Sequence, residues 1–415
     1  MNIPKMRPLG ANEKVFWILD QKISSHFAIA AEVEGDISVS AWRNALNIVQ
    51  KRHPNLAVQL SSNEYQTLHF EQIKGVEIPM RILDLSEDES WDGEVEKELQ
   101  TRFSLRKGPL ARTLLVRQPG KSIFVFISNH SIGDAMSVTL LIRDLLSILG
   151  GETLSDLITL PSIDELIGIA LQEAEIPHTD PTSFYPGGVT ETALDASFIK
   201  RVQLSAALTA KLVERSKREK TSVHGALSVA LVLAKKQTTD LWNNKPVRVM
   251  HPVSARKILG LGDSYGLYLN LITTPYVFNA ANSFWKQARE ARQSIAVTQS
   301  REWIKADVSN TNLLFNSGMD LKAIEEILVK GTGHDIMITN LGQVPLKTQY
   351  GALRLASFWG PMVLTPHKAA QTVGVCTVNG HLTMTLTSYL PSDGLLEAAE
   401  QILLEACEIE EMIAY

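Results

Sequence analysis

The sequence predicts an α/β protein built from two mixed halves, and three observations lead there. Strand-like and helix-like patterns alternate through the first half and recur in the second. Between them, residues 150–196 are punctuated by proline and glycine, including Pro177, Pro181 and Pro186-Gly187-Gly188, the composition of a linker. The chain of 415 residues is 45% hydrophobic and 20% charged, the balance of a folded enzyme with a large core. The expected division is residues 1–175, a linker at 176–196, and residues 197–415.

In the first half, His26 to Val33 has strand character and closes at Glu34-Gly35-Asp36, a turn signal. Ser38 and Ser40 can cap a helix on which Trp42, Leu46 and Val49 recur. That helix should stop at His53, because the residue before Pro54 is pushed out of the α region. Leu56 to Leu60 and Thr67 to Phe70 read as short strands, and Glu87 to Phe103 as a charged helix. Leu110 to Arg117 and Ser122 to Ser128 form a hairpin across Gln118-Pro119-Gly120-Lys121. Met136, Leu140, Leu141, Leu145 and Ile148 then follow helical spacing until Gly150-Gly151. Residues 129–134, NHSIGD, therefore sit at a strand-to-helix junction, where side chains can face a cleft.

In the second half, Ser205 to Lys220 is an amphipathic helix, and Thr221-Ser222 caps a more apolar one. Strands are expected at Val247 to Pro252, Tyr268 to Val277, Asp335 to Thr339, Ala352 to Phe358, Thr372 to Val378 and His381 to Tyr389.

Several function classes fall away. A net charge of −5 and a pI near 6.1 oppose a dedicated nucleic-acid binder, which carries a basic face. No apolar run reaches the roughly 18 residues of a membrane span. The opening MNIPKMRPLGANEK lacks the core of a signal peptide, so a cytoplasmic location is expected. Cys376 and Cys407 lack metal-binding spacing, His251, His334, His367 and His381 lack metal-site partners, and no metal is expected. Neither a phosphate-binding loop nor a dinucleotide fingerprint occurs.

His130 and Asp134 form a His-x-x-x-Asp pattern. A histidine with a pKa near 6.5 can accept a proton at neutral pH and turn a hydroxyl or amine into a nucleophile. Two residues at this spacing also arise by chance, and a structural histidine is the commoner reading of the pair alone.

The neighbouring segments change that balance. Arg7-Pro8-Leu9-Gly10-Ala11-Asn12-Glu13, Lys51-Arg52-His53-Pro54-Asn55-Leu56 and Gly108-Pro109-Leu110-Ala111-Arg112 precede NHSIGDAMS. Thr221 to Leu227, Pro252-Val253-Ser254-Ala255-Arg256, Tyr265 to Asn270 and Thr339 to Val344 follow it. In this order they resemble the His-x-x-x-Asp acyltransferase superfamily, which includes chloramphenicol acetyltransferase, condensation domains and polyketide-associated acyltransferases. The resemblance implies two chloramphenicol acetyltransferase-like lobes with the active site at their interface. It implies His130 as general base, Asp134 as a structural residue paired with Arg256, and an arginine fork making two parallel hydrogen bonds to the carboxylate. Asn340 and Ser388 are candidates for contacting the oxyanion or substrate, although Asn340-Leu341-Gly342 reads equally well as a turn.

The implied reaction moves an acyl group from a thioester, on acyl-CoA or a phosphopantetheinyl carrier protein, to a hydroxyl or amine on a small molecule. No bound cofactor is implied, and an acyl or peptidyl carrier protein is an expected partner. An amide-forming stand-alone condensation enzyme and a non-catalytic carrier-docking module are the alternatives. Two departures bear on them: Asn129 stands where condensation domains have a second histidine, and Ala135 where the superfamily has glycine. Alanine there removes easy access to positive φ. His224 and His53 read as packed structural residues, and Ser131, beside His130, as pointing away from the substrate.

Overall fold

The computed structural model describes residues 6–22, 26–62, 67–171, 197–238, 245–277 and 281–408. The expected linker at 176–196 lies outside them. Two six-stranded sheets organise the rest. In the first, the order is Gln349–Tyr350, Leu353–Val363, His26–Glu34, Lys121–Asn129, Ala111–Gln118 and Met80–Asp84. In the second it is Leu269–Tyr276, Val247–Ser254, Ile336–Gln343, Gln371–Val378, His381–Ser388 and Phe198–Gln203. A small sheet of Met6–Pro8, Leu68–Gln72 and Val58–Ser62 flanks the first. The mixed helix and sheet architecture is the predicted α/β class.

The helix Val39–Arg52 starts where Ser38 Oγ accepts the Ala41 N–H at 3.1 Å. Its apolar stripe of Trp42, Leu46 and Val49 is buried, and Trp42 stacks on Phe124 of the first sheet. Helix Ala135–Leu149 packs beside it, so one apolar cluster holds both helices and the first sheet. The second sheet has its own core, in which helices Val223–Thr238, Phe284–Ala296 and Leu395–Glu408 bury leucine, valine and alanine. No helix among the described residues is long and apolar enough to cross a membrane.

The second half of the chain also builds the first sheet: Leu353–Val363 pairs with His26–Glu34. After a short connection the next strand, Gln371–Val378, belongs to the second sheet. The two strands touch where a Cβ on Gly374 would lie 2.1 Å from the Pro361 carbonyl oxygen. Only glycine permits that backbone approach. The connection between them faces the space between the sheets, where the candidate site lies.

Candidate functional site

The turn carrying His130 is defined by what surrounds it. The strand Lys121–Asn129 is buried almost throughout, and its last residue begins the turn: Asn129 Oδ1 accepts the Ser131 N–H at 2.9 Å. Asn129 is 0% exposed and is not among the described residues that line the cleft beside His130. Gly133 has no room for a side chain, since a Cβ would sit 2.3 Å from Tyr265 Cε1. The Tyr265 hydroxyl is itself held, donating to Ser128 Oγ at 2.6 Å. Asp134 then caps the next helix with extended φ −105° and ψ 172°. Ala135 begins that helix with no positive φ, so the conformational demand expected at this position does not arise.

His130 is nine-tenths buried, stacked on Phe16 at 4.3 Å and tilted against Phe27 at 4.4 Å between ring centroids. Burial between these rings lowers its pKa to about 4, with the Asp134 charge and the backbone at Gly133 and His130 pulling the other way. The ring is therefore neutral at neutral pH, and its Nδ1 has no hydrogen-bond partner among the described residues. A neutral imidazole can accept a proton, and the negative charge of Asp134 favours the imidazolium that results.

Asp134 makes no hydrogen bond to His130. Its Oδ1 accepts from Ser137 N at 2.7 Å and lies 2.9 Å from Ser137 Oγ, and its Oδ2 accepts from Tyr268 N at 2.9 Å. Arg256 reaches Oδ1 at 3.5 Å. The structure thus brings Asp134 and Arg256 together across the two lobes, but not through the expected parallel fork. Nη1 of Arg256 donates to the carbonyls of Gly262 and Ser264, and Nη2 to Ser137 Oγ at 2.6 Å. The reason is geometric: Ser137 stands between guanidinium and carboxylate. It also accepts from Gly266 N at 3.1 Å and lies 2.6 Å from Gly266 O. Its single proton serves either Gly266 O or Asp134.

His130 and Ala135 line a cleft open to solvent, together with residues of both sheets and of the connection that follows Val363. Phe16, Leu269, Leu271, Met250, Met337 and Val363 make its wall largely apolar, and among the described residues no charged side chain lines it. Its polar side chains are threonines and histidines, among them Thr339 and His334.

Two expected contacts are absent from this wall. Asn340 does not line the cleft; its Oδ1 accepts from Gly342 N at 2.7 Å, the turn reading. Met337 and Thr339 do line it, and alternation along the strand turns Asn340 to the opposite face. Ser388 is buried and donates to Ala370 O at 2.8 Å, closing its strand. Ser131 is 0% exposed and off the cleft. Cys376 is buried too, and desolvation pushes its thiol up to about 12, where it is unreactive. Cys407 is not on the cleft either. His224 bonds His251 at 2.9 Å inside the second lobe, and His381 bonds Leu204 O at 3.1 Å. Among the described residues no cluster of three or more His, Cys, Asp or Glu could hold a metal ion.

The remaining segments of the resemblance are braces. Arg7 pairs with Glu13 at 2.6 Å, and Asn12 Nδ2 donates to Leu269 O at 2.8 Å, joining the lobes. Arg52 and His53 both reach Asp144 Oδ2, at 2.7 and 3.1 Å. Arg112 pairs with Glu98 at 2.6 Å. Ser137, Tyr265 and Tyr268 were not singled out by the motif spacing. The signal available for Ser137 was its position three residues after a capping aspartate.

Segments of both halves of the chain match known protein families. Residues 16–161 match the family model of the condensation domain, and residues 196–260 that of the phthiocerol/phthiodiolone dimycocerosyl transferase C-terminus. Tyrocidine synthase 3 of Brevibacillus parabrevis is 28% identical over 158 residues, 36% of this chain and 2% of that protein. A hybrid PKS-NRPS synthetase of an Acremonium species is 24% identical over 382 residues, 80% of this chain and 9% of that protein. The chain thus spans less than a tenth of the length of these relatives. Among solved structures, polyketide synthase associated protein 5 from Mycobacterium tuberculosis superposes with TM-score 0.64 at 16% identity, covering 97% of this chain and 98% of that one. The epimerization domain from the third module of tyrocidine synthetase B has TM-score 0.66 at 14% identity, over 98% of both chains. The two family models and the shared fold bear out the resemblance to the chloramphenicol acetyltransferase-like, condensation-type superfamily.

Proposed function

We propose that this condensation-type protein transfers an acyl group from a thioester to a hydroxyl or amine, with His130 as general base. The observation that carries the reading is a neutral, buried histidine on the wall of an apolar cleft, beside an aspartate already engaged elsewhere. His130 takes the acceptor proton as the acceptor heteroatom attacks the thioester carbonyl. The C–S bond breaks, and the thiolate recovers the proton from the imidazolium. Thr339 is the hydroxyl that its strand turns toward the cleft, and in this reading it stabilises the oxyanion in place of Asn340 or Ser388.

The donor is acyl-CoA or an acyl group on a phosphopantetheinyl carrier protein, used as co-substrate without a bound cofactor. The uncharged, apolar wall favours an aliphatic or aromatic acyl group over a charged one. Attack is direct, because Ser131 and Cys376 are buried away from the cleft and cannot carry an acyl-enzyme. The likeness to an epimerization domain shows that the fold alone does not choose the reaction. A panel of acyl-CoA and acyl-carrier thioesters, offered with alcohols and amines and read by mass spectrometry, tests the reading. Esters or amides that require His130 support it. Thioester consumption without any acylated acceptor contradicts it.

A further inference from the structure

A histidine ring turns on a broad, roughly two-fold torsion, and the lone pair that accepts a proton lies in the ring plane. Whatever fixes the plane of His130 therefore aims it. No side chain among the described residues does so by a hydrogen bond: Nδ1 has no partner, and both carboxylate oxygens of Asp134 are engaged elsewhere. Two aromatic rings remain. Phe16 lies nearly parallel to the imidazole, with 17° between the planes and 4.3 Å between centroids, and Phe27 is tilted by 41° at 4.4 Å. Phe27 is 0% exposed on the strand His26–Glu34 of the first sheet. Phe16 lines the cleft beside His130.

Phe16 is itself held from the second lobe. It belongs to the helix Ala11–Lys22, whose Asn12 Nδ2 donates to Leu269 O at 2.8 Å and to Asn270 Oδ1 at 3.2 Å. The helix start is fixed as well, since Ala11 N donates to Asp164 Oδ2 at 3.1 Å. The Phe16 ring packs with Leu267, Leu269 and Leu271 in a small apolar cluster of its own. Its neighbours Trp17 and Ile18 are buried in the core of the first sheet. One helix thus joins the two lobes, and its aromatic side chain lies flat on the imidazole.

We infer that Phe16 is a positioning residue for the base: its ring, anchored to the second lobe, fixes the plane of the His130 imidazole and keeps water off it. This rests on His130 being the general base of the proposed reaction. One lobe presents the base, and the other aims it through a single ring-on-ring contact. Removing the Phe16 ring frees the torsion and admits cleft water to the imidazole, which favours the charged form. The charge of Asp134 also favours that form, and it stays in place when Phe16 is changed.

The test compares Phe16→Ala and Phe16→Tyr by ¹⁵N-histidine titration and by turnover at saturating substrate. The His130 and His334 resonances are identified by their loss in His130→Ala and His334→Ala. In Phe16→Ala the His130 titration should move up by about one pH unit, and kcat should fall by roughly tenfold. In Phe16→Tyr, which keeps the ring, the titration should stay where the wild type has it. His334, the other titratable side chain on the described wall, should titrate as before in both variants and so controls for general loosening. Phe16→Leu gives a reading that does not depend on Phe16→Ala folding. Leucine keeps the packing against Leu267 and Leu269 but offers no flat face, so the His130 titration should again move up. An unmoved His130 titration in Phe16→Ala or Phe16→Leu, a Phe16→Tyr titration shifted as far as that of Phe16→Ala, an equal shift of His334, or an unchanged kcat overturns the inference. The titration needs no substrate, so its failure is separate from a failure to find acyl transfer by the wild-type protein.

Discussion

The joint beneath the His130 turn and the wall of the cleft adjoin at Asp134 and Ala135, yet they use their polar groups in opposite ways. At the joint, Asp134, Ser137, Arg256 and Tyr268 bond one another and the 262–266 loop, joining the two lobes. On the wall, His130 and His334 each keep a ring nitrogen without a partner among the described residues. The two ends of one motif are thus split: the carboxylate of Asp134 is engaged in the joint, and the ring of His130 lines the cleft. Substitutions at the joint should injure folding and activity together, and substitutions on the wall should injure activity alone.

The largest loss should follow Asp134→Ala or Arg256→Ala. Each strands a buried charge, with side-chain exposures of only 4% and 8%, and the cost is about 3–5 kcal/mol in a dry site. Urea unfolding measures it; a change below about 1 kcal/mol would mean that water screens the pair. Gly133→Ala comes next, since its Cβ would overlap the Tyr265 ring and overpacking costs about 1–3 kcal/mol. Gly133→Ala should cost less in a Tyr265→Ala background than in the wild type, and an equal cost in both would place the strain elsewhere. Ser137→Ala removes the hydroxyl between Arg256 and Asp134 and should cost about 1–2 kcal/mol. A neutral Ser137→Ala would show that the guanidinium closes the gap unaided.

Acid should separate the regions less sharply. His26, His130, His224, His251 and His334 are all held below the usual histidine range by burial. Below pH 6.5 the unfolded chain binds protons that the folded one refuses, so stability falls as pH drops from about 6.5 toward 4. The slope is on the order of 1 kcal/mol per pH unit for each proton. Turnover limited by His130 should hold to about pH 5 and decline near 4, the value burial gives it. A turnover limb near 6.5, or a urea midpoint constant from pH 7 to 5, would contradict these assignments.

Much of this was legible in the sequence because it depended on local chemistry. Ser38, the Trp42–Leu46–Val49 stripe and Pro54 delimit a helix by capping, period and sterics, and the structure places it at Val39–Arg52. The 111–129 hairpin was equally plain, although its turn tightens to Pro119-Gly120, between strands ending at Gln118 and starting at Lys121. The charged helix expected at 87–103 shortens to Asp92–Gln100. Strand Met80–Asp84 and helices Phe284–Ala296, Arg301–Phe315 and Leu321–Gly331 were not foreseen. Met80–Asp84 is largely exposed and lacks alternation. The helix Arg301–Phe315 buries only Ile304, Val308 and Phe315, too thin a stripe to stand out. The strand-to-helix turn that carries His130 and Asp134 could be read from the change of period there. Which of Thr339 and Asn340 lines the cleft depends on strand register, since one step along a strand exchanges the two faces. Ser137 and Tyr268 depend on a long-range meeting that no local pattern records.

The division between joint and wall is tested most directly by His130→Ala, measured for melting temperature and for acyl transfer in the same preparation. Its ring is packed but forms no part of the interlobe hydrogen bonds. Folding should therefore persist with a cooperative transition, while turnover falls by roughly a hundredfold or more. Near wild-type turnover in a folded His130→Ala protein would contradict the account.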